Sequence, residues 1–141
     1  METSKGKIQV NTLEDYKSCL NYGLNNPLID SLTYNVPIES RIEIQNQLFK
    51  NDIQFYKYCW NYLPHFCQET GLKLRTYSAS FVSHILSRGA FPEMRFDIRN
   101  VNILSLPQHH KWESELKVEM YIYKKNQATI MMLKNEYRQL K

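Results

Sequence analysis

An α+β domain is predicted for this 141-residue chain, with N-terminal helices including one long helix, then a small antiparallel sheet and a C-terminal helix. Three observations carry that expectation. Apolar residues recur every three or four positions from Ile38 to Leu63 without an intervening glycine or proline; "MRFDIRNVNIL" and "ELKVEMYIY" alternate apolar and polar residues; and "ATIMMLKNEYRQLK" returns to helix formers near the C-terminus. Strands and helices do not alternate in the βαβ order of a parallel nucleotide-binding sheet. The expected organisation is a flexible leader over residues 1–10 and one domain over 11–141, a length that suits a single core.

In order along the chain, "TLEDYKSCLNYG" predicts a helix with Thr12 as N-cap, Asp15 in the capping-box position, Gly23 near its stop and Leu13, Tyr16 and Leu20 on one face. "NNPLIDSLTYNVP", punctuated by Pro27 and Pro37, reads as an irregular connector laid against the core. The long helix follows, with Ile38, Ile42, Phe49, Ile53, Tyr56, Trp60 and Leu63 on its stripe and Pro64 to end or kink it. "LKLRTY" predicts a short strand, and "SASFVSHILSRG" a helix with Phe81, Val82, Ile85 and Leu86 on one face. A half-buried strand is expected over 94–99, a loop over "SLPQHHKWES", and a second strand over 115–123, because Leu116, Val118, Met120 and Ile122 share a face only when the chain is pleated. The spacing of Ile130, Leu133, Tyr137 and Leu140 predicts the last helix, with a hairpin strand over 128–134 as its rival.

Composition narrows the function classes. Gly6, Gly23, Gly71 and Gly89 are scattered, so no phosphate cradle is built and no cofactor is expected. Cys19, Cys59 and Cys67 are odd in number and contain no C-x-x-C pair, and the histidines show no ligand spacing, so neither a disulfide framework nor a metal site is expected. The N-terminus lacks the apolar run of a signal peptide, and the densest apolar stretch, "FYKYCWNYL", is short and interrupted, so a soluble, cytoplasmic protein is expected.

Charge is unevenly placed. Residues 1–70 hold six Lys/Arg against eight Asp/Glu, a net of −2, whereas residues 71–141 hold twelve against six, a net of +6. A basic half steers anionic partners. If 94–99 and 115–123 are neighbouring strands, their polar rows place Arg95, Arg99, Lys117, Tyr121 and Tyr123 on one face, extended by Lys124 and Lys125.

Three functional readings follow. The first is a non-enzymatic protein-interaction module, an adaptor or regulatory subunit binding a protein partner or a second copy through that face, since Tyr and Arg are enriched at interfaces. The second is nucleic-acid binding through the same groups, with tyrosines stacking on bases and cations holding phosphates, against which Asp97 and Glu119 on the same row count. The third is a small nuclease or hydrolase built around His84, His109 and His110, with Arg88 beside them. They are separated by where the side chains fall in space, either histidines converging in a pocket or arginines and tyrosines sharing an open face.

Overall fold

The computed structural model describes residues 8–22 and 32–140, so the expectations for Gly23 and for residues 25–31 of the connector fall outside them, whereas residues 32–34 of that connector, expected to be irregular, form a strand and Val36 is buried as expected. The chain runs β1 (Ile8–Val10), α1 (Leu13–Tyr22), β2 (Leu32–Tyr34), α2 (Ile38–Leu48), α3 (Asp52–Tyr62), β3 (Val82–His84), β4 (Val101–Ile103), α4 (Leu106–Trp112), α5 (Tyr121–Lys125) and α6 (Gln127–Arg138). It is an α+β fold in which the N-terminal helices precede a small antiparallel sheet and a helix closes the chain. β1 pairs in parallel with β2, Ile8 opposite Leu32, so residues 8–10 of the expected leader are a strand. β3 pairs antiparallel with β4 in the register Val82 to Ile103, Ser83 to Asn102 and His84 to Val101.

Thr12 starts α1 as expected, its Oγ1 accepting from the Asp15 amide at 3.0 Å, and Tyr16 and Leu20 are buried. The long helix is instead two. Asn51 caps α3, its Oδ1 accepting from the Gln54 amide at 2.9 Å, while Gln54 Oε1 accepts from the Lys50 amide at 2.8 Å. This reciprocal arrangement offers the chain a helix start inside an apolar period. The break leaves Phe49 extended and buried, with its ring edge-on to Phe55 at 5.1 Å and to Tyr58 at 5.0 Å.

Four further expectations are corrected. "LKLRTY" supplies only one bridge, Lys73 to Phe66. The helix expected over 78–88 is a single 3-10 turn, Ala79–Phe81, running into β3. Both faces of β3 are covered, Val82 and Ser83 alike, so the alternation that marks a half-buried strand is missing. Between β3 and β4, Met94, Phe96 and Ile98 are buried as a strand would require, but they lie in and beside the 3-10 turns Pro92–Met94 and Ile98–Asn100, and Asp97 and Arg99 are buried with them. The expected loop "SLPQHHKWES" contains α4, with Pro107 in its first turn, where a missing amide costs nothing.

The strand over 115–123 is likewise absent. A 3-10 turn spans Glu115–Glu119, its start capped by Ser114, and α5 begins at Tyr121. The Glu69 carboxylate accepts from the Tyr121 and Ile122 amides, each at 3.0 Å, giving α5 the anionic N-terminal partner that helices favour. The apolar row is consequently split, with Leu116 and Val118 exposed and Met120 and Ile122 in the core. α6 forms as predicted with Leu133 fully buried, and the rival strand over 128–134 does not.

A buried ion cluster ties three segments together. Arg99 meets Asp97 in a fork, Nε to Oδ1 at 3.0 Å and Nη2 to Oδ2 at 2.7 Å, and grips Glu136 of α6 through Nη2 at 2.7 Å and Nη1 at 3.1 Å. Arg41 of α2 donates to Glu136 at 2.9 Å and to the Val36 carbonyl at 3.0 Å. Burial alone would raise the Asp97 pKa, but the adjacent Arg99 charge, its hydrogen bonds and Arg41 together hold the carboxyl below the usual range.

Candidate functional site

β3 and α4 build one wall of a cleft of about 590 Å³, into which the loop between β3 and β4 carries Ser87, Arg88 and Phe91. His84 at the end of β3 and His109 of α4 both line it, together with Lys117 and, from α6, Lys134. Tyr56, Phe91 and Trp112 add aromatic surface, and Glu113 lines the cleft as an acidic group. His110, the third histidine singled out from sequence, is exposed and lies outside the cleft lining.

Each histidine is held by the backbone. His84 Nε2 lies 2.9 Å from the Arg95 carbonyl, an acceptor, so Nε2 carries the proton and Nδ1 is left as the unprotonated nitrogen. The ring stacks against Phe55 and meets Tyr56 edge-on. Burial pushes its pKa below the ordinary histidine value, against the opposing pull of the Arg95 carbonyl, and the nearby Arg88 charge lowers it further. His84 is therefore a neutral base at physiological pH. His109 places Nδ1 at 2.6 Å from the Ser80 carbonyl and Nε2 at 3.2 Å from Glu113 Oε2. Both partners are acceptors, so each can take a proton from the ring nitrogen that faces it.

The loop that delivers Arg88 is fixed by one buried side chain. Asn100 Oδ1 accepts from the Leu86 amide at 2.7 Å, and its Nδ2 donates to the carbonyls of Leu86 at 3.1 Å and Met94 at 3.2 Å. The Ile85 amide also donates to the Asn100 carbonyl at 2.8 Å. Trp112 Nε1 donates to the His84 carbonyl at 2.9 Å, locking α4 onto β3 so that His109 and His84 face the same cavity.

The residues expected on one partner-binding face are dispersed. Arg99 is buried in the ion cluster, which removes it from any surface. Arg95 is part exposed, its guanidinium 4.6 Å over the Phe96 ring, and lines a second cavity. Lys117 lines the histidine cleft, its ammonium 5.3 Å from the Trp112 ring centroid. Tyr123 is half-buried beside Trp112, whereas Tyr121, Lys124 and Lys125 are exposed on α5. The shared face was expected from strands at 94–99 and 115–123, neither of which forms. Lys134, Asn100 and Glu69 went unmarked in the sequence. "NDIQ" at residues 51–54 was a readable capping signal, but no local signal marks a lysine on a predicted helix as cleft-lining.

Among the described residues no group of three or more His, Cys, Asp or Glu is placed to hold a metal ion, and no helix is long and apolar enough to cross a membrane. Cys59 and Cys67 are buried free thiols. No protein-family model, curated protein or solved structure matches the chain.

Proposed function

We propose that this protein acts on nucleic acid, binding a phosphodiester in the cleft and hydrolysing it. The observation that carries the reading is the convergence of His84 and His109 in one cavity with Arg88, Lys117 and Lys134. On sequence alone the non-enzymatic reading leads; the spatial placement of the histidines shifts the preference to the nuclease. The three cations hold the non-bridging phosphate oxygens and offset charge that develops as phosphorus is attacked. His84 Nδ1 takes a proton from water as the new oxygen–phosphorus bond forms, and the His109 ring gives a proton to the leaving oxygen as the old bond breaks. Glu113 is mostly solvent-facing, so it releases the His109 Nε2 at little cost. The aromatic rings around the cleft suit a base or sugar.

Histidine ring NMR tests the binding half of this reading. Titrating a DNA dinucleotide is expected to shift the His84 and His109 ring signals together and leave those of His65 and His110 in place. Shifts confined to His65 or His110, or none at all, would count against the cleft as the site.

A protein-interaction role is kept as a second reading for one observation: Leu116, Val118 and Tyr121 are 51%, 54% and 59% exposed within one short segment that leads to Lys124 and Lys125. Exposed apolar groups rimmed by charge suit a protein partner or a second copy. Light scattering of wild type and Tyr121→Ser checks self-association, with loss of a dimer on substitution expected. The proposed setting is the cytoplasm, where unpaired thiols such as Cys59 and Cys67 stay reduced.

A further inference from the structure

The cleft has a neighbour. On the other side of the Arg88–Asp52 ion pair lies a more open trough of about 570 Å³ lined by Lys50, Asp52, Arg88, Arg95 and Phe96 among others, so Arg88 belongs to both cavities. Asp52 reaches both arginines, pairing with Arg88 through Oδ2 and lying 4.0 Å from Arg95 Nε through Oδ1. The Arg95 guanidinium carbon sits over the Phe96 ring, 4.6 Å from its centroid. A guanidinium held by an aromatic face and a carboxylate keeps further N–H groups free and already oriented, which is the state suited to a phosphate oxygen. Lys50, Arg88 and Arg95 against Asp52 leave the trough net positive, and through Arg88 it is continuous with the Lys117 and Lys134 cations of the cleft.

Resting on the reading of the cleft as a phosphodiester site, we propose that the trough takes the sugar-phosphate backbone of the strand that leaves the cleft, making the ligand a polynucleotide and not a single nucleotide. Arg95 and Lys50 are then positioning residues for the flanking phosphates, and Arg88 marks the boundary between cleft and trough. Asp52 orders the two guanidiniums but lowers the positive potential felt by the strand, so its charge limits affinity.

Fluorescence anisotropy with labelled single-stranded DNA, a dinucleotide and a dodecamer, across a range of salt concentrations tests this. The dodecamer is expected to bind more tightly than the dinucleotide. The double variant Lys50→Ala/Arg95→Ala is expected to weaken the dodecamer roughly tenfold and to reduce its log–log salt slope by about 1.4, two phosphate contacts on a single strand, while leaving the dinucleotide unchanged. Asp52→Asn is expected to tighten the dodecamer, a gain that a merely structural role for Asp52 does not produce. If the double variant leaves dodecamer affinity and slope unchanged while Lys117→Ala/Lys134→Ala weakens both oligonucleotides, the trough is not a strand path and the cleft reading stands. If wild type binds neither oligonucleotide, both readings fall together.

Discussion

His84 shows how a single side chain is committed to one protonation state by its surroundings. Its Nε2 proton is taken by a backbone carbonyl and its ring is packed against Phe55, so charging it means placing an imidazolium in a desolvated site. The pKa is lowered in the fold from an ordinary value of 6.5, so below that pH the unfolded chain binds a proton that the folded chain refuses. Stability therefore falls as pH drops through and below 6.5, and a His84→Gln variant is expected to show a flatter pH dependence in urea denaturation. Asn100 commits its neighbours in a different way, because three of its hydrogen bonds hold the loop that carries Arg88. Asn100→Ala strands those backbone groups away from water and is expected to cost about 3 kcal/mol, measurable by the same denaturation.

At the scale of elements, helix ends are set by polar side chains more than by apolar periodicity. The stripe from Ile38 to Leu63 runs without interruption, yet the Asn51 and Gln54 exchange breaks it into α2 and α3. Asn51→Ala is expected to destabilise the protein by about 1 kcal/mol, read as a lower denaturation midpoint with an unchanged slope. That break was legible, since "NDIQ" carries the capping signature; the identity of α5 was not. Alternation over 115–123 satisfies a strand, and only Glu69, distant in sequence, supplies the carboxylate that starts a helix there. Local pattern likewise misread β3, where coverage of both faces erased the period of two. α1 and α6 were legible because each packs one stripe, Tyr16 with Leu20 and Ile130 with Leu133, against the remainder of the fold.

At the scale of the whole molecule, the buried Arg41–Asp97–Arg99–Glu136 cluster joins α2, the segment before β4 and α6, and α6 carries Lys134 into the cleft. Two guanidiniums and two carboxylates compensate one another, so removing one member leaves an unmatched buried charge. Asp97→Ala is expected to cost about 3 to 5 kcal/mol by chemical denaturation. Because the Asp97 pKa is held below its ordinary 3.8, the stability it contributes is present at neutral pH and is lost as pH falls below 3.8. Arg99 and Asp97 looked like solvent-facing members of an alternating strand, and nothing local in sequence distinguishes a charge that faces water from one that faces an opposite charge. The histidines of the cleft were visible as residue types, but their convergence depends on Trp112 and Asn100 locking α4 and the loop onto the hairpin. The cleft as a nucleic-acid hydrolase site is tested most directly by incubating purified wild type and His84→Ala with end-labelled single- and double-stranded DNA and RNA, with and without added magnesium. Cleavage by wild type that is lost in a folded His84→Ala protein is the predicted result. No cleavage of any substrate, or equal cleavage by both proteins, would contradict it.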